Sequence, residues 1–430
     1  MSRKFYLVRM RVNGIKNIST EMTFDFYNKL LTNFDPDLYK IKAIYGENGT
    51  GKTAIMTALN IVKKIVLSRE YLMQMETQTL LNEIINKKNK VFYLEVEFAF
   101  YIEDKVDVYR YYIELAYEND RYIIARESLD EIINYTRNKK FKNVFAVENG
   151  KIKSIVATDE YYKYIENATM NLLDTRSFPL EMILRRHENE WNASAIKLLL
   201  FFLSMNIYLD EEDMHETYLI NKLIRKATES GTKIDAYISK QIFYIDSKGR
   251  DIVDKEDYSN YIKKVKSLER FIQLFKTDLI SISIDKKDDG DQYKCELIMN
   301  YKNYSVNKEF ESTGIKKLVR MFDSLQNADA GGISFIDEMD SNLNDVYLCK
   351  LVEYFMYYGK GQLCFTTHNL DPMSVLKNNR NSIDFLTSEN EVISWKITGN
   401  AAPDRYYRNG MIEHIPFNIE AEDFIGVFGE

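Results

Sequence analysis

A glycine-rich octapeptide, Gly46-Glu47-Asn48-Gly49-Thr50-Gly51-Lys52-Thr53, constrains this chain more than any other stretch. Ahead of it, Tyr39-Lys-Ile-Lys-Ala-Ile-Tyr45 alternates as a strand does. Behind it, Ala54, Ile55, Ala58, Leu59, Ile61, Val62 and Ile65 recur at helical spacing. Strand, glycine turn and helix in that order gather main-chain N–H groups and the positive end of a helix at one point, which suits a phosphate group. Gly46, Gly49 and Gly51 let the backbone wrap, and Asn48 and Thr50 lie within the wrap. Lys52 is expected to bridge the outer phosphates of ATP, and the Thr53 hydroxyl to ligate Mg²⁺.

Three further motifs lie far downstream. Ile333-Ser-Phe-Ile-Asp337-Glu338 reads as a buried strand ending in two carboxylates, 285 positions beyond Lys52. Asp337 suits a metal-nucleotide, and Glu338 suits a base that deprotonates an attacking water. One helix later, Leu363-Cys-Phe-Thr-Thr-His368 ends a second apolar run in a histidine placed to sense a terminal phosphate. Upstream of the acidic strand, Glu311-Ser312-Thr313-Gly314 opens a helix, where a hydroxyl and free N–H groups suit an anion. His187, His215 and His414 have no such company and read as structural.

The pattern of the remaining sequence predicts an α/β chain. Strands are expected over 5–12, 22–26, 91–101, 106–116 and 121–126, with a hairpin over 143–155 turning at Asn149-Gly150. The stretch 161–275 reads as mainly helical, with helices over 179–189, 192–205, 211–228 and 255–275. Strands return over 279–284, 293–301 and 304–309. Asp285, Asp288, Asp289 and Asp291 read as a charged hairpin turn. Helices are expected over 312–325 and 346–357. This divides the chain into 1–157, 158–277 and 278–430, the middle part a helical insertion and candidate partner-binding region.

Composition narrows the classes. The chain has 430 residues, 45% hydrophobic and 29% charged, enough to bury a core. No apolar run approaches the roughly 18 residues of a membrane span, and no signal-peptide core opens the chain, so the cytoplasm is expected and a membrane partner is not. Cys295, Cys349 and Cys364 are widely spaced and read as buried thiols. A net charge of −7 argues against a nucleic-acid-coating protein but leaves room for a local basic groove. The basic pairs Arg185-Arg186 and Lys316-Lys317 read as solvated helix faces.

Taken together, the four motifs resemble those of the ABC-type ATPases of the SMC, RecF and OLD group. The resemblance covers about 1–130 and 280–400, and Val12-Asn-Gly-Ile-Lys-Asn-Ile18 is similar to the segment these proteins carry before the phosphate loop. Asp404-Arg-Tyr-Tyr-Arg-Asn-Gly-Met411, with Ile415-Pro-Phe after it, is similar to the tail of compact ATPases encoded beside bacterial anti-phage and abortive-infection genes. The resemblance implies an ABC-type head with an antiparallel β meander and two ATP molecules sandwiched in a homodimer or higher oligomer. Ser312 and Gly314 of one copy would meet the phosphate held by Lys52 of the other, and Asp340 and Asn342 would cross the interface. Where relatives have Leu-Ser-Gly-Gly-Gln, this chain has Glu311-Ser-Thr-Gly-Ile. Heptads for a long coiled-coil arm are missing. The 62 residues after His368 are too few for a nuclease domain. Three functions remain open: a sensor or scaffold controlling a separate effector, such as a nuclease or toxin, in anti-phage defence; a RecF-like ATPase that binds DNA; and a non-catalytic ATP-dependent scaffold.

Overall fold

A computed structural model describes residues 4–102, 105–134, 139–185, 193–209, 243–246, 248–396 and 402–412. The expected helix over 211–228 and the residues Arg186, His187, His215, His414 and Ile415 to Phe417 lie outside them. The chain opens with β1 (Lys4–Asn13), β2 (Met22–Asp25), β3 (Ile41–Gly46), α1 (Lys52–Leu67) and α2 (Met75–Ile84). A meander follows: β4 (Val91–Ile102), β5 (Lys105–Glu118), β6 (Arg121–Asn134), β7 (Lys140–Glu148) and β8 (Lys151–Ile155). Next come α3 (Asp159–Ala168), α4 (Phe178–Leu184), α5 (Ala193–Ser204), β9 (Met205–Tyr208), β10 (Phe243–Ile245), β11 (Asp251–Asp254) and α6 (Tyr258–Phe275). Then β12 (Leu279–Asp289), β13 (Gln292–Tyr301), β14 (Ser305–Asn307), α7 (Thr313–Ala330), β15 (Ile333–Ile336), α8 (Asp345–Tyr357) and β16 (Gln362–Thr366). The last elements are α9 (Asp371–Leu376), β17 (Ile383–Leu386), β18 (Val392–Ser394) and α10 (Pro403–Arg408).

These elements form a mixed α/β architecture with three sheets. The first is antiparallel, in the order β2-β1-β4-β5-β6-β7-β8. Its strands come from alternation: Phe92, Leu94, Val96 and Phe98 of β4 are buried, and the residues between the first three lie nearer solvent. Asn149 and Gly150 join β7 to β8 with positive φ of 49° and 70°, the geometry a two-residue hairpin turn needs. The central sheet has the order β18-β17-β3-β16-β15-β9; only β18 is antiparallel. Strands of a parallel sheet are covered on both faces and read as continuous apolar runs, as β15 and β16 do. In β3, Ile44 faces one core while Ala43 and Tyr45 face the other.

The helix α1 fills the space between these two sheets. Ile55, Leu59, Val62 and Val66 join one core with Leu94, Phe98 and Tyr111 of the antiparallel sheet and with Ile44 and Phe335 of the central one. The opposite face of the central sheet is covered by α7, α8 and α9, through residues such as Met321, Val352 and Met373, and α6 joins that core through Leu268 while packing on α7 and β12. A third sheet, β10-β11-β13-β12 with β14 on β13, shares that second core through Leu297 and Met299.

The segment 158–277 departs from the expected helical insertion in two respects. It supplies β9 to the edge of the central sheet and β10 and β11 to the third sheet. Its helices α4 and α5 are buried in the first core, with Phe178, Phe201 and Phe202 fully covered. Strands of three or four residues are too short to show a period, and β9 continues directly from α5, so Met205 reads as the end of the expected helix over 192–205. The hairpin of β12 and β13 is charged as expected, with ion pairs Lys255–Asp288 and Lys294–Asp289. Cys295 and Cys364 are buried and Cys349 half-buried, all as free thiols. No helix among the described residues is long and apolar enough to cross a membrane.

Candidate active site

In an open parallel sheet, ligands are bound beyond the carboxyl ends of the strands. The loop 46–51 leaves the carboxyl end of β3, His368 lies beyond that of β16, and Asp337-Glu338 beyond that of β15. Because β3, β16 and β15 run parallel and in that order, three motifs that are far apart in sequence open on one edge.

Two glycines of the loop are dictated by geometry. Gly51 adopts φ 102°, closed to side chains, and a Cβ there would meet Ile18 Cγ1 at 3.1 Å. A Cβ on Gly46 would stand 2.5 Å from Thr50 Oγ1 and 3.1 Å from Leu386. Within the loop, Thr50 Oγ1 donates to the Glu47 carbonyl at 2.9 Å. The Lys52 ammonium donates to the carbonyls of Gly46 and Glu47 at 2.7 and 2.9 Å, so its charge is held over the loop. Burial pulls the Lys52 pKa below the usual lysine range, while Asp337, Glu338, Asp340 and Glu47 act in the opposite sense as nearby charges. The lysine and the acidic strand end therefore share one electrostatic site. Thr53, half-buried, is the second residue of α1; Asn48 and Gly49 are exposed at the loop's tip.

Asp337 and Glu338 are fixed from β16. The Thr366 hydroxyl donates to Asp337 Oδ1 at 2.5 Å and accepts from the Glu338 N–H at 2.7 Å. Glu338 itself has φ 46°, a left-handed conformation that costs about 1–3 kcal/mol for a residue with a side chain. The Lys317 ammonium holds its far side, donating to the Glu338 carbonyl and to Ser341 Oγ. Lys317 is therefore buried, 7% exposed, not part of a solvated face. The adjacent Asp340 accepts from the N–H groups of His368 and Asn369, both at 3.2 Å, which ties the acidic turn to the histidine loop. His368 itself is exposed.

A scan of protein-family models finds no match to this chain, and a search of curated proteins finds none either. The geometry therefore carries the functional reading.

Ser312 and Gly314 sit apart from Lys52's contacts. Ser312 precedes α7 as its cap position, without a side-chain bond to the helix. A Cβ on Gly314 would lie 2.9 Å from the Asn342 carbonyl, and Thr313 Oγ1 reaches Asn342 Oδ1 at 3.5 Å. The glycine loop, Asp337, Glu338 and, through Asp340, His368 form one group, while Thr313 and Gly314, beside Ser312, form a second group with Asn342. The link between the groups is Lys317, one turn along α7 from Gly314.

Sequence reasoning assigned no role to Lys16, Asn17, Lys317 or Thr366. Asn17 Nδ2 donates to the Gly49 carbonyl, clamping the loop from the turn after β1. Lys16 Nζ reaches Thr57 Oγ1 at 3.3 Å; burial lowers its pKa and Asp337 opposes the shift, so a second ammonium stands at the site. A signal for these two was present in the Val12–Ile18 segment ahead of the loop. Thr366 could have been found as the hydroxyl two places before His368.

Proposed function

We propose that this chain is an ABC-type ATPase whose nucleotide site lies on the carboxyl edge of the central sheet. The observation that carries this reading is that the glycine loop with Lys52 and the carboxylates Asp337 and Glu338 leave the sheet on one edge, beyond the carboxyl ends of the parallel strands β3 and β15.

The donor chemistry suits a hard divalent cation: the Asp337, Glu338 and Asp340 carboxylates and the Thr53 hydroxyl offer oxygen ligands of the kind Mg²⁺ prefers. Asp337 and the Thr53 hydroxyl would hold it, and it would supply charge neutralisation to the phosphates. Lys52 and the loop's N–H groups bind and orient the triphosphate. Glu338 takes a proton from water as that water attacks the terminal phosphorus. The bond to the bridging oxygen breaks, leaving ADP and phosphate. His368, at the end of the adjacent strand, faces the terminal phosphate.

The separation of Ser312 and Gly314 from Lys52's contacts supports a site completed by a second copy of the chain. Nucleotide then holds two copies together, and hydrolysis parts them. The tail segment resembling those of anti-phage ATPases favours a sensor or scaffold that controls a separate effector. Part of that segment, α10, packs beneath the phosphate loop, with Tyr407 stacked on Phe385 at 5.5 Å and near Tyr45 at 6.4 Å.

Glu338→Gln tests the proposal. Hydrolysis should fall by about 10²–10⁴-fold while ATP binding persists and the nucleotide-bound oligomer accumulates. A variant that hydrolyses ATP at the parental rate removes Glu338 as the base.

A further inference from the structure

Beyond the C-terminal end of α1, away from the phosphate loop, the carboxylate of Glu181 is fully buried beneath three guanidiniums. Arg69 binds it through Nε at 2.7 Å and Nη2 at 3.3 Å, and Arg185 through Nε at 2.6 Å. Those bonds occupy both oxygens. Arg176 comes no nearer than 3.8 Å, beyond hydrogen-bond length, and its buried Nε has no hydrogen-bond partner among the described residues. Its Nη2 rests instead on Met73 Sδ at 3.9 Å. Within this ion-paired group, three positive charges face one negative charge. Next to it, Met73 and Met75 are 55% and 82% exposed, which places bulky, adaptable apolar side chains on the surface beside the surplus charge.

We propose that this surface docks an acidic, apolar segment of a partner protein: a carboxylate side chain on Arg176, flanked by hydrophobic residues on Met73 and Met75. Charge complementarity selects the occupant. A second carboxylate would engage the exposed Nη2 end of the Arg176 guanidinium, where it now meets only Met73 among the described residues. Clustered arginines of this kind recognise single acidic groups, and arginine and methionine are both enriched in protein interfaces. A nucleic-acid strand would call for cations spread along a track of several phosphates, with aromatic rings for the bases. Here the cations converge on one point and their neighbours are methionines. The proposal is independent of the nucleotide site, and its test requires no ATP.

The test is fluorescence anisotropy of the full chain with a labelled peptide alternating aspartate with leucine and phenylalanine. Saturable binding that weakens with salt is expected. Arg176→Ala should weaken it by about tenfold, a loss typical of an interface anchor, and should leave the thermal midpoint in place because Arg69 and Arg185 still satisfy Glu181. Met73→Ser with Met75→Ser should weaken binding independently. Absence of saturable binding overturns the proposal, as does equal binding of a peptide with asparagine for aspartate or unchanged affinity in Arg176→Ala. Displacement of the peptide by an oligonucleotide whose own binding is lost in Arg176→Ala would make this a nucleic-acid site instead.

Discussion

Glu338 is held where its backbone would not stay on its own. Its φ of 46° is sustained from one side by Thr366, which accepts its N–H, and from the other by Lys317, which donates to its carbonyl. Removing one hold should let the peptide relax and swing the carboxylate away from the attacking water. Lys317→Met is therefore expected to lower kcat about ten- to a hundredfold while KM for ATP changes little, because misplacing a catalytic group by an ångström has that effect. Equal losses in kcat and ATP affinity would mean that Lys317 serves the nucleotide directly. Lys52→Ala, by contrast, should abolish nucleotide binding itself, measured by calorimetry; undiminished affinity would remove the loop from the site. At this scale, the residues that open on the carboxyl edge of the sheet were legible because their types are restricted: glycines, one lysine, two adjacent carboxylates, one histidine. The residues that position them were not. Lys317 looked like half of a solvated basic pair, and only the fold turns its ammonium inward onto a carbonyl.

Among the elements, the short helix α4 is pinned by two buried carboxylates with opposite responses to pH. Glu127 of β6 accepts from the N–H of Phe178, from Ser177 Oγ and from Tyr111 OH, at 2.8, 2.6 and 2.7 Å, fixing the start of α4 to the antiparallel sheet. Burial raises its pKa above the ordinary 4.5, against those three hydrogen bonds. Its contribution to stability is therefore full below that value and is lost as pH rises through the folded pKa. Glu181, within α4, behaves inversely. Burial raises its pKa, but the bonds from Arg69 and Arg185 outweigh burial and bring it below 4.5. Its contribution is full above that value and is lost as pH falls through the folded pKa. Thermal midpoints measured from acid to neutral pH should show Glu181→Gln removing part of the acid loss, and Glu127→Gln removing part of the decline on the neutral side. Glu181→Gln should also cost about 2 kcal/mol at neutral pH, because the partly exposed arginines lose their charged acceptor. The meander was legible from alternation and from Asn149-Gly150, but the expected strand over 121–126 stopped one residue short of Glu127 in β6. The company of Glu181 was not legible, since its arginines lie up to 112 positions away in sequence.

Across the whole molecule, one side chain stitches two sheets together. On its β2 side, β1 is paired only at Arg9–Val12, which leaves Leu7 without a strand neighbour there. Gln362, the first residue of β16, takes that place: its Oε1 accepts from the Leu7 N–H at 2.6 Å and its Nε2 donates to the Leu7 carbonyl at 3.1 Å. Gln362→Leu would leave both main-chain groups buried and unsatisfied, and is expected to cost about 2–4 kcal/mol in a single unfolding transition read by calorimetry. A change below 0.5 kcal/mol, within the range of an ordinary surface substitution, would show that the stitch carries no weight. The α/β class and the glycine turn between β3 and α1 were legible at this scale because each rests on local periodicity. Strand order was not, because nothing local tells β3 that its neighbours lie more than 300 positions further on.

That strand order sets a timetable. β3 is hydrogen-bonded on one side to β16 and on the other to β17, so its two neighbours are the residues 362–366 and 383–386. During synthesis at about 5–20 residues per second, β3 leaves the ribosome roughly 20–70 s before its second neighbour exists. The antiparallel sheet, whose strands other than β2 and β1 run from 91 to 155, has all its partners early in that interval. The carboxyl edge of the central sheet is therefore among the last features of the molecule to appear, and a chain cut short before β17 carries the glycine loop without the sheet that shapes it.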